Sequence, residues 1–363
     1  MNKIKVIHCL GQLNTGGAET LVLNVFRKIN KDKFQFDFLL FNNEPGFYDN
    51  EVKQLGGGIY YLPSISNVGI ICYIRKMIAF FKEYQPDIVH SHMDWQGGFI
   101  AYAAHKAGIK KIIVHSHANQ KMFEVNFIYK LMIKINKRLI KKYANYCLAC
   151  SKIAGDSLFN KGYEIIINGI DLEKFININL KKMNDLKIEF GIKPNDIVLG
   201  TVGSLSENKN QIFLIEILSE LVKINENYKL IIVGEGKEMK KLESRVLQLN
   251  LNGNVYFTGR RSEIPEIMHL FDIFLLPSKM EGLGIVVIEA QACGLKCIVS
   301  DTIPKAVVIN KNLIEFLPLI QENWIECIKN IKSYQISIKD NELKNSEFNI
   351  LKTCENLERI YTS

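Results

Sequence analysis

A chain of 363 residues exceeds what one ordinary core holds and suits two domains of roughly 150 to 200 residues each. Its 47% hydrophobic and 23% charged residues, with a mean hydropathy near zero, describe a soluble globular chain and exclude a disordered one. A formal net charge of +8 attracts nucleotide phosphates, nucleic acid or an anionic membrane face alike, so charge alone selects none of them.

The first apolar run, Ile4 to Cys9, breaks at Gly11 and is too short for a secretion signal or a spanning helix, so a cytoplasmic protein is expected. Eight cysteines without a tight repeating spacing suit that reducing compartment, and no disulfides are expected. The pairs Cys147/Cys150 and Cys293/Cys297 have metal-ligand spacings. The first lies in a strand-like run, with no second C-x-x-C or histidine pair beside it.

Short strands are expected at Ile4–Cys9, Phe36–Phe41, Ile59–Leu62, Ile88–Ser91, Lys111–His115, Tyr146–Cys150 and Ile165–Ile167. Helical periods separate most of them, notably over Ala18–Ile29, Val68–Tyr84 and Gly97–Ala107. The pattern restarts with strands at Ile197–Val202, Lys229–Val233, Val255–Phe257, Ile273–Leu276 and Cys297–Val299. Alternation of this kind means an α/β chain of two doubly wound, Rossmann-like parallel-sheet domains. The seam is expected at the turn-rich Asn168-Gly169-Ile170-Asp171, giving domains 1–168 and 169–340, with a helix in 341–363 packing back on the first.

Ligands of open parallel sheets bind beyond the carboxyl ends of the strands, so the residues there carry the chemistry. After the first strand, Gly16 and Gly17 open a helix whose amino end favours a phosphate, or they form a plain turn. His90-Ser-His92 and His115-Ser-His117 follow strands, where an imidazole can hold a hydroxyl or phosphate; the bland alternative is one core-facing ring in each pair. In the second half, Gly203-Ser204 and Lys209 follow a strand, and the lysine either neutralises a diphosphate leaving group or lies on the surface. Gly234 and Gly236 end the next strand and can run under a ribose or phosphate. Glu281-Gly282-Leu283-Gly284 then leads into a helix bearing Glu289, two carboxylates able to accept from sugar and ribose hydroxyls.

Glu281 and Glu289, with seven residues between them, resemble the E-x7-E signature of the family 4 retaining glycosyltransferases of GT-B fold. The Gly16 to Glu19 loop, Asp87 to His92, His115 to His117, Gly203 through Asn210, Val233 to Gly236 and Glu289 to Gly294 agree in order, and the branch building bacterial capsular and exopolysaccharides looks nearest. The resemblance implies two domains facing a cleft, the first binding an acceptor and the second a nucleotide-sugar donor. Glu281 would grip the transferred sugar, Glu289 the ribose and Lys209 the diphosphate. Gly16 and Gly17 would close over the donor, and either His117 or His115 would sit by the reacting centre. It further implies a UDP-sugar as substrate, a growing or lipid-linked glycan as acceptor, and front-face substitution with retention. No Asp-x-Asp pair is present, so no required metal and no separate cofactor are expected.

Two positions depart from the family pattern: Ser204 stands where members usually carry arginine, and Lys305 where the branch often shows an acidic residue. The first keeps open a low-activity or non-catalytic GT-B partner in a polysaccharide assembly complex. The stretch Lys121–Lys142 mixes seven basic residues with apolar ones, which suits a helix lying on the anionic inner face of a membrane, or a core-facing helix with a solvated basic side. A nicotinamide enzyme is disfavoured by the missing G-x-G-x-x-G, and no nucleic-acid motif is present.

Overall fold

The computed structural model describes residues 3–14, 16–117, 127–331 and 346–363, the side chain of residue 128 aside. Two compact units divide the chain: Met1–Ile170 together with Glu347–Ser363, and Asp171–Ser346.

The first unit is built on a parallel sheet of seven strands: β1 (Ile4–Leu10), β2 (Phe34–Leu40), β3 (Ile59–Tyr61), β4 (Ile88–Ser91), β5 (Lys111–Ser116), β6 (Tyr146–Ala149) and β7 (Glu164–Ile165). Their order is β3-β2-β1-β4-β5-β6-β7, so the winding reverses between β1 and β4. A strand buried on both faces reads as a continuous apolar run, which is why the strands were legible. The helices are α1 (Gly17–Lys28), α2 (Asp49–Gln54), α3 (Ile65–Tyr84), α4 (Gly97–Lys106), α5 (Phe127–Tyr143) and α6 (Lys152–Leu158). Helix α3 starts earlier than its periodicity predicts and is interrupted at Gly69, whose φ of 72° is left-handed.

On one face Val6, Phe36, Phe38 and Ile113 pack with Leu21 and Val25 of α1 and with Ile350, Leu357 and Ile360 of the C-terminal helix, Ile350–Thr362. On the other, Ile7, Leu39, Val89 and Val114 meet Met77 and Phe99 of α3 and α4.

The second unit has six parallel strands ordered β10-β9-β8-β11-β12-β13: β8 (Ile197–Val202), β9 (Tyr228–Val233), β10 (Val255–Gly259), β11 (Ile273–Leu276), β12 (Lys296–Ser300) and β13 (Ile314–Leu317). Its switch lies between β8 and β11. The unit's helices are α7 (Leu172–Ile176), α8 (Leu180–Glu189), α9 (Gln211–Ile224), α10 (Met239–Gln248), α11 (Ile264–Met268), α12 (Ile285–Ala292) and α13 (Gln321–Asn330). Leu214 and Leu218 of α9 close over Leu230, Ile232 and Leu275, with Trp324 of α13 fully buried among them. Strand β13 escaped the sequence reading because it is an edge strand of four residues with Glu315 exposed, paired only to β12. Glycine is required at Gly200 in β8, where a Cβ would stand 2.1 Å from the Phe271 ring.

Among the described residues no helix is long and apolar enough to cross a membrane, and all eight cysteines are free thiols.

Candidate functional site

In the second unit the loops after β8 and β11 are stitched together. Lys279 N donates to Asn208 O at 2.8 Å, Asn208 Nδ2 to Met280 O at 2.8 Å, and Asn210 Nδ2 to Pro277 O at 3.3 Å. Asn210, which follows Lys209, takes a left-handed φ of 57° as it caps α9; the Lys209 side chain reaches the loop after β11. Its Nζ donates to Glu281 Oε1 at 2.5 Å, with the two side chains only 18% and 13% exposed. A charge-assisted contact this sheltered is stronger than a surface pair and orients both groups.

The glycines frame that pair. A Cβ on Gly203 would lie 3.4 Å from Lys209 Cε, so the lysine stem runs along bare backbone. Cβ atoms on Gly234 and Gly236 would stand 2.0 Å from Gly203 O and 2.2 Å from Leu205 O, so β9's end packs directly on the Lys209 loop. Gly284 caps α12 with a left-handed φ of 90°, and Gly282 and Leu283 form the turn before it, with Leu283 buried. One helix turn on, burial raises the Glu289 carboxyl to about 7. Ser204 is exposed, its carbonyl accepting from Gln211 Nε2 at 3.0 Å. Lys305 stands with Nζ 3.2 Å above the Phe316 ring centre, a cation–π contact.

In the first unit the predicted histidines converge. Residues two apart on a strand share a face, so His90 and His92 are both buried, and His115 and His117 lie beside them. The alternative of one core-facing ring per pair gives way to a stripe of imidazoles across β1, β4 and β5. His8 of β1, register partner of His90, completes it. Sequence reasoning missed His8, although a lone polar side chain within the otherwise apolar run Val6–Leu10 was a signal.

The ring nitrogens form a chain: His8 Nδ1 lies 3.0 Å from His92 Nε2, and His92 Nδ1 lies 2.9 Å from His117 Nε2. His90 Nδ1 meets the Tyr361 hydroxyl of the C-terminal helix at 2.8 Å. The other nitrogens, His8 Nε2, His90 Nε2, His117 Nδ1 and both of His115, are buried without a hydrogen-bond partner among the described residues. Burial lowers His8 and His117 to about 3, and burial with the neighbouring imidazoles lowers His90, His92 and His115 well below the usual value. The stripe is thus neutral.

The turn after β4 supplies Asp94, at a left-handed φ of 46°, whose Oδ1 accepts from the His117 backbone N–H at 2.8 Å. Gly16 precedes α1, and a Cβ there would stand 2.2 Å from Glu19 Oε2. The amino end of α1 therefore carries its own carboxylate, raised in pKa by burial. The structure brings Gly203, Lys209, Gly234, Gly236 and Glu281 together in one unit, and His115 and His117 together in the other.

Residues 15–174 match the family described as Glycosyltransferase Family 4, and residues 182–335 match Glycosyl transferases group 1. EpsF of Bacillus subtilis (strain 168), by name a glycosyltransferase, is 37% identical over 89% of this chain and 86% of its own length. The capsular polysaccharide biosynthesis glycosyltransferase CapH of Staphylococcus aureus is 29% identical over 99% of both chains. Anabaena HepE, solved in complex with UDP and glucose, superposes with a TM-score of 0.81 over 99% of this chain and 100% of its own at 19% identity. With two doubly wound units and kinship to EpsF along nine-tenths of its length, the chain belongs to the family 4 glycosyltransferases of GT-B fold.

Proposed function

We propose that the protein is a retaining glycosyltransferase. It moves a hexose or N-acetylhexosamine from a UDP-sugar to a growing or lipid-linked glycan in bacterial capsular or exopolysaccharide synthesis. The observation that carries this reading is the sheltered Lys209–Glu281 pair, held where β8 and β11 end by two stitched loops. The ion pair lets each group keep the other in place. A bound nucleotide sugar gives both a better partner: the diphosphate takes the ammonium, and the sugar hydroxyls donate to the freed carboxylate. Lys209 and the amino end of α12 then face the charge that grows as the bond from the anomeric carbon to the diphosphate breaks, with no metal required.

The acceptor oxygen bonds to the same face of that carbon while its proton passes to the leaving phosphate. Glu289 accepts from the ribose diol, with Gly203, Ser204, Gly234, Gly236 and Gly282 to Gly284 as the backbone floor. In the first unit, Gly16, Gly17 and either His117 or His115 complete the assignment, which rests on family resemblance. Support for the donor and pathway comes from the HepE complexes with UDP and UDP-glucose, from CapH, and from an Escherichia coli relative 27% identical over 99% of this chain, named a UDP-Gal:GlcNAc-diphosphoundecaprenol galactosyltransferase.

Transfer from a panel of UDP-sugars to an undecaprenyl-diphosphate-linked sugar tests the reading. Glu281→Ala and Lys209→Ala are each expected to lower the rate about 10²- to 10³-fold. Unchanged rates in either variant would sink the assignment of Lys209 and Glu281, whereas no transfer and no donor hydrolysis by the parent chain over hours would favour a non-catalytic partner, as Ser204 allows.

We also assign α5 to an anionic membrane face. Phe127, Leu131 and Ile135, four residues apart, are exposed, with Lys130, Lys134, Arg138, Lys141 and Lys142 exposed around them, while Asn136 and Ile140 are buried. Lys121 and Phe123 of the expected stretch lie outside the described residues. Each cation near an anionic surface contributes about 1 kcal/mol. Flotation with phosphatidylglycerol vesicles should carry the protein up, and replacing Lys130, Lys134 and Arg138 with glutamate should leave it behind.

A further inference from the structure

We propose that His92, His115 and His117 form a binding site for a borderline divalent transition-metal ion of the zinc class. One ring nitrogen from each lies within 4.8 Å of the others. Three imidazoles with an open fourth position are a ligand set that zinc, cobalt and nickel accept and magnesium does not.

The hydrogen-bond pattern prepares each ring for a cation. When His92 Nε2–H donates to His8 Nδ1 at 3.0 Å, the His92 Nδ1 lone pair points at His117 Nε2, 2.9 Å away. Only one proton fits between those two nitrogens. An ion can take its place while that proton moves to His117 Nδ1, so all three rings stay neutral and none is released to solvent. His8 then acts as the outer partner that fixes the tautomer of a ligating histidine.

His115 supplies the independent observation. It is fully buried, its ring centre is 4.2 Å from that of His117, and neither of its nitrogens has a partner among the described residues. A neutral imidazole left that way loses its hydration with no return, whereas a cation would take one lone pair.

Tetrahedral coordination at zinc–nitrogen lengths of about 2.0 to 2.1 Å sets the nitrogens about 3.3 Å apart. The His92–His117 pair, at 2.9 Å, opens slightly, and the remaining separations, none above 4.8 Å, close by about 1.5 Å at most. His117 is half-buried at the edge of the stripe. Asp94 anchors its backbone at 2.8 Å from a strained left-handed conformation. An ion there holds lone pairs of the two histidines that the transfer reading offers to substrate, but the site itself does not depend on that reading.

The test uses the full-length, chelator-treated protein and cobalt(II) alone, whose visible absorption distinguishes tetrahedral from octahedral coordination. The expected result is one saturable ion per chain with a tetrahedral spectrum, displaced by zinc. His92→Asn and His115→Asn should each weaken binding about 100-fold or more, while His105→Asn and His269→Asn, outside the stripe, leave it unchanged. His115→Cys keeps a ligand and should restore binding with a new sulfur-to-metal band, provided its thermal unfolding stays cooperative. Absence of saturable uptake, an octahedral spectrum, or binding indifferent to His92→Asn and His115→Asn would overturn the proposal.

Discussion

Burial raises the Glu289 carboxyl to about 7, so its charge changes near neutral pH. Its folded pKa, about 7, exceeds the ordinary 4.5, so the neutral form is favoured in the fold. Stability from that form is fully present below about pH 4.5 and is lost as pH rises towards 7. On the proposed assignment donor binding runs the opposite way, because the ionised carboxylate is the better acceptor for two ribose hydroxyls. UDP affinity, measured by calorimetry, should therefore rise through pH 7, with proton release on binding, and Glu289→Gln should flatten both trends. Gly234 makes a purely steric prediction. A methyl group 2.0 Å from the Gly203 carbonyl forces backbone to move, so Gly234→Ala should cost about 2 kcal/mol or more in denaturant unfolding and weaken UDP binding. The E-x7-E spacing was readable because both carboxylates and the helix start lie in one continuous segment. The partnership of Glu281 with Lys209 was not, since their positions are 72 residues apart and meet only through adjacent strand ends.

The C-terminal helix is the element that most depends on tertiary context. Its amphipathic face of Ile350, Cys354, Leu357 and Tyr361 fills the first unit's core, and Lys111 Nζ donates to the carbonyls of Ile360 and Tyr361 at 2.9 and 3.1 Å. Deleting residues 347–363 should therefore leave residues 1–170 unable to unfold cooperatively, as monitored by near-ultraviolet circular dichroism. Tyr361→Phe is the milder probe: it keeps the ring packing and removes the hydroxyl that meets His90 Nδ1 at 2.8 Å. It is expected to cost about 1 to 3 kcal/mol, the penalty of an orphaned buried polar group. Helix α5 illustrates what periodicity leaves open, because an amphipathic pattern does not say which apolar residues find a core. The structure buries Ile140 and leaves Leu131 and Ile135 exposed.

At the scale of the whole molecule the two units have separate cores, so their stabilities should be separable. Residues 171–346 are continuous and are expected to fold alone and bind UDP. Ligand at one hundred times its dissociation constant should stabilise that fragment by about 2.7 kcal/mol, read as a shift in its melting transition. A fragment that folds without any UDP-dependent shift would contradict the donor assignment. Alternating apolar strands and helical periods were enough to specify two doubly wound units, because a parallel strand buried on both faces is mostly apolar and each crossover helix must hide one face. The same local logic marked Gly284, Glu281 and Glu289, whose chemistry lies within a few residues of backbone. Strand order was beyond it, and with it the meeting of His8, His92 and His117 on one face and of Lys209 with Glu281 at another sheet's end. Those contacts join residues brought close by pairing across β1, β4 and β5 or across β8 and β11, and side-chain periodicity along a chain contains no information about which strand lies beside which.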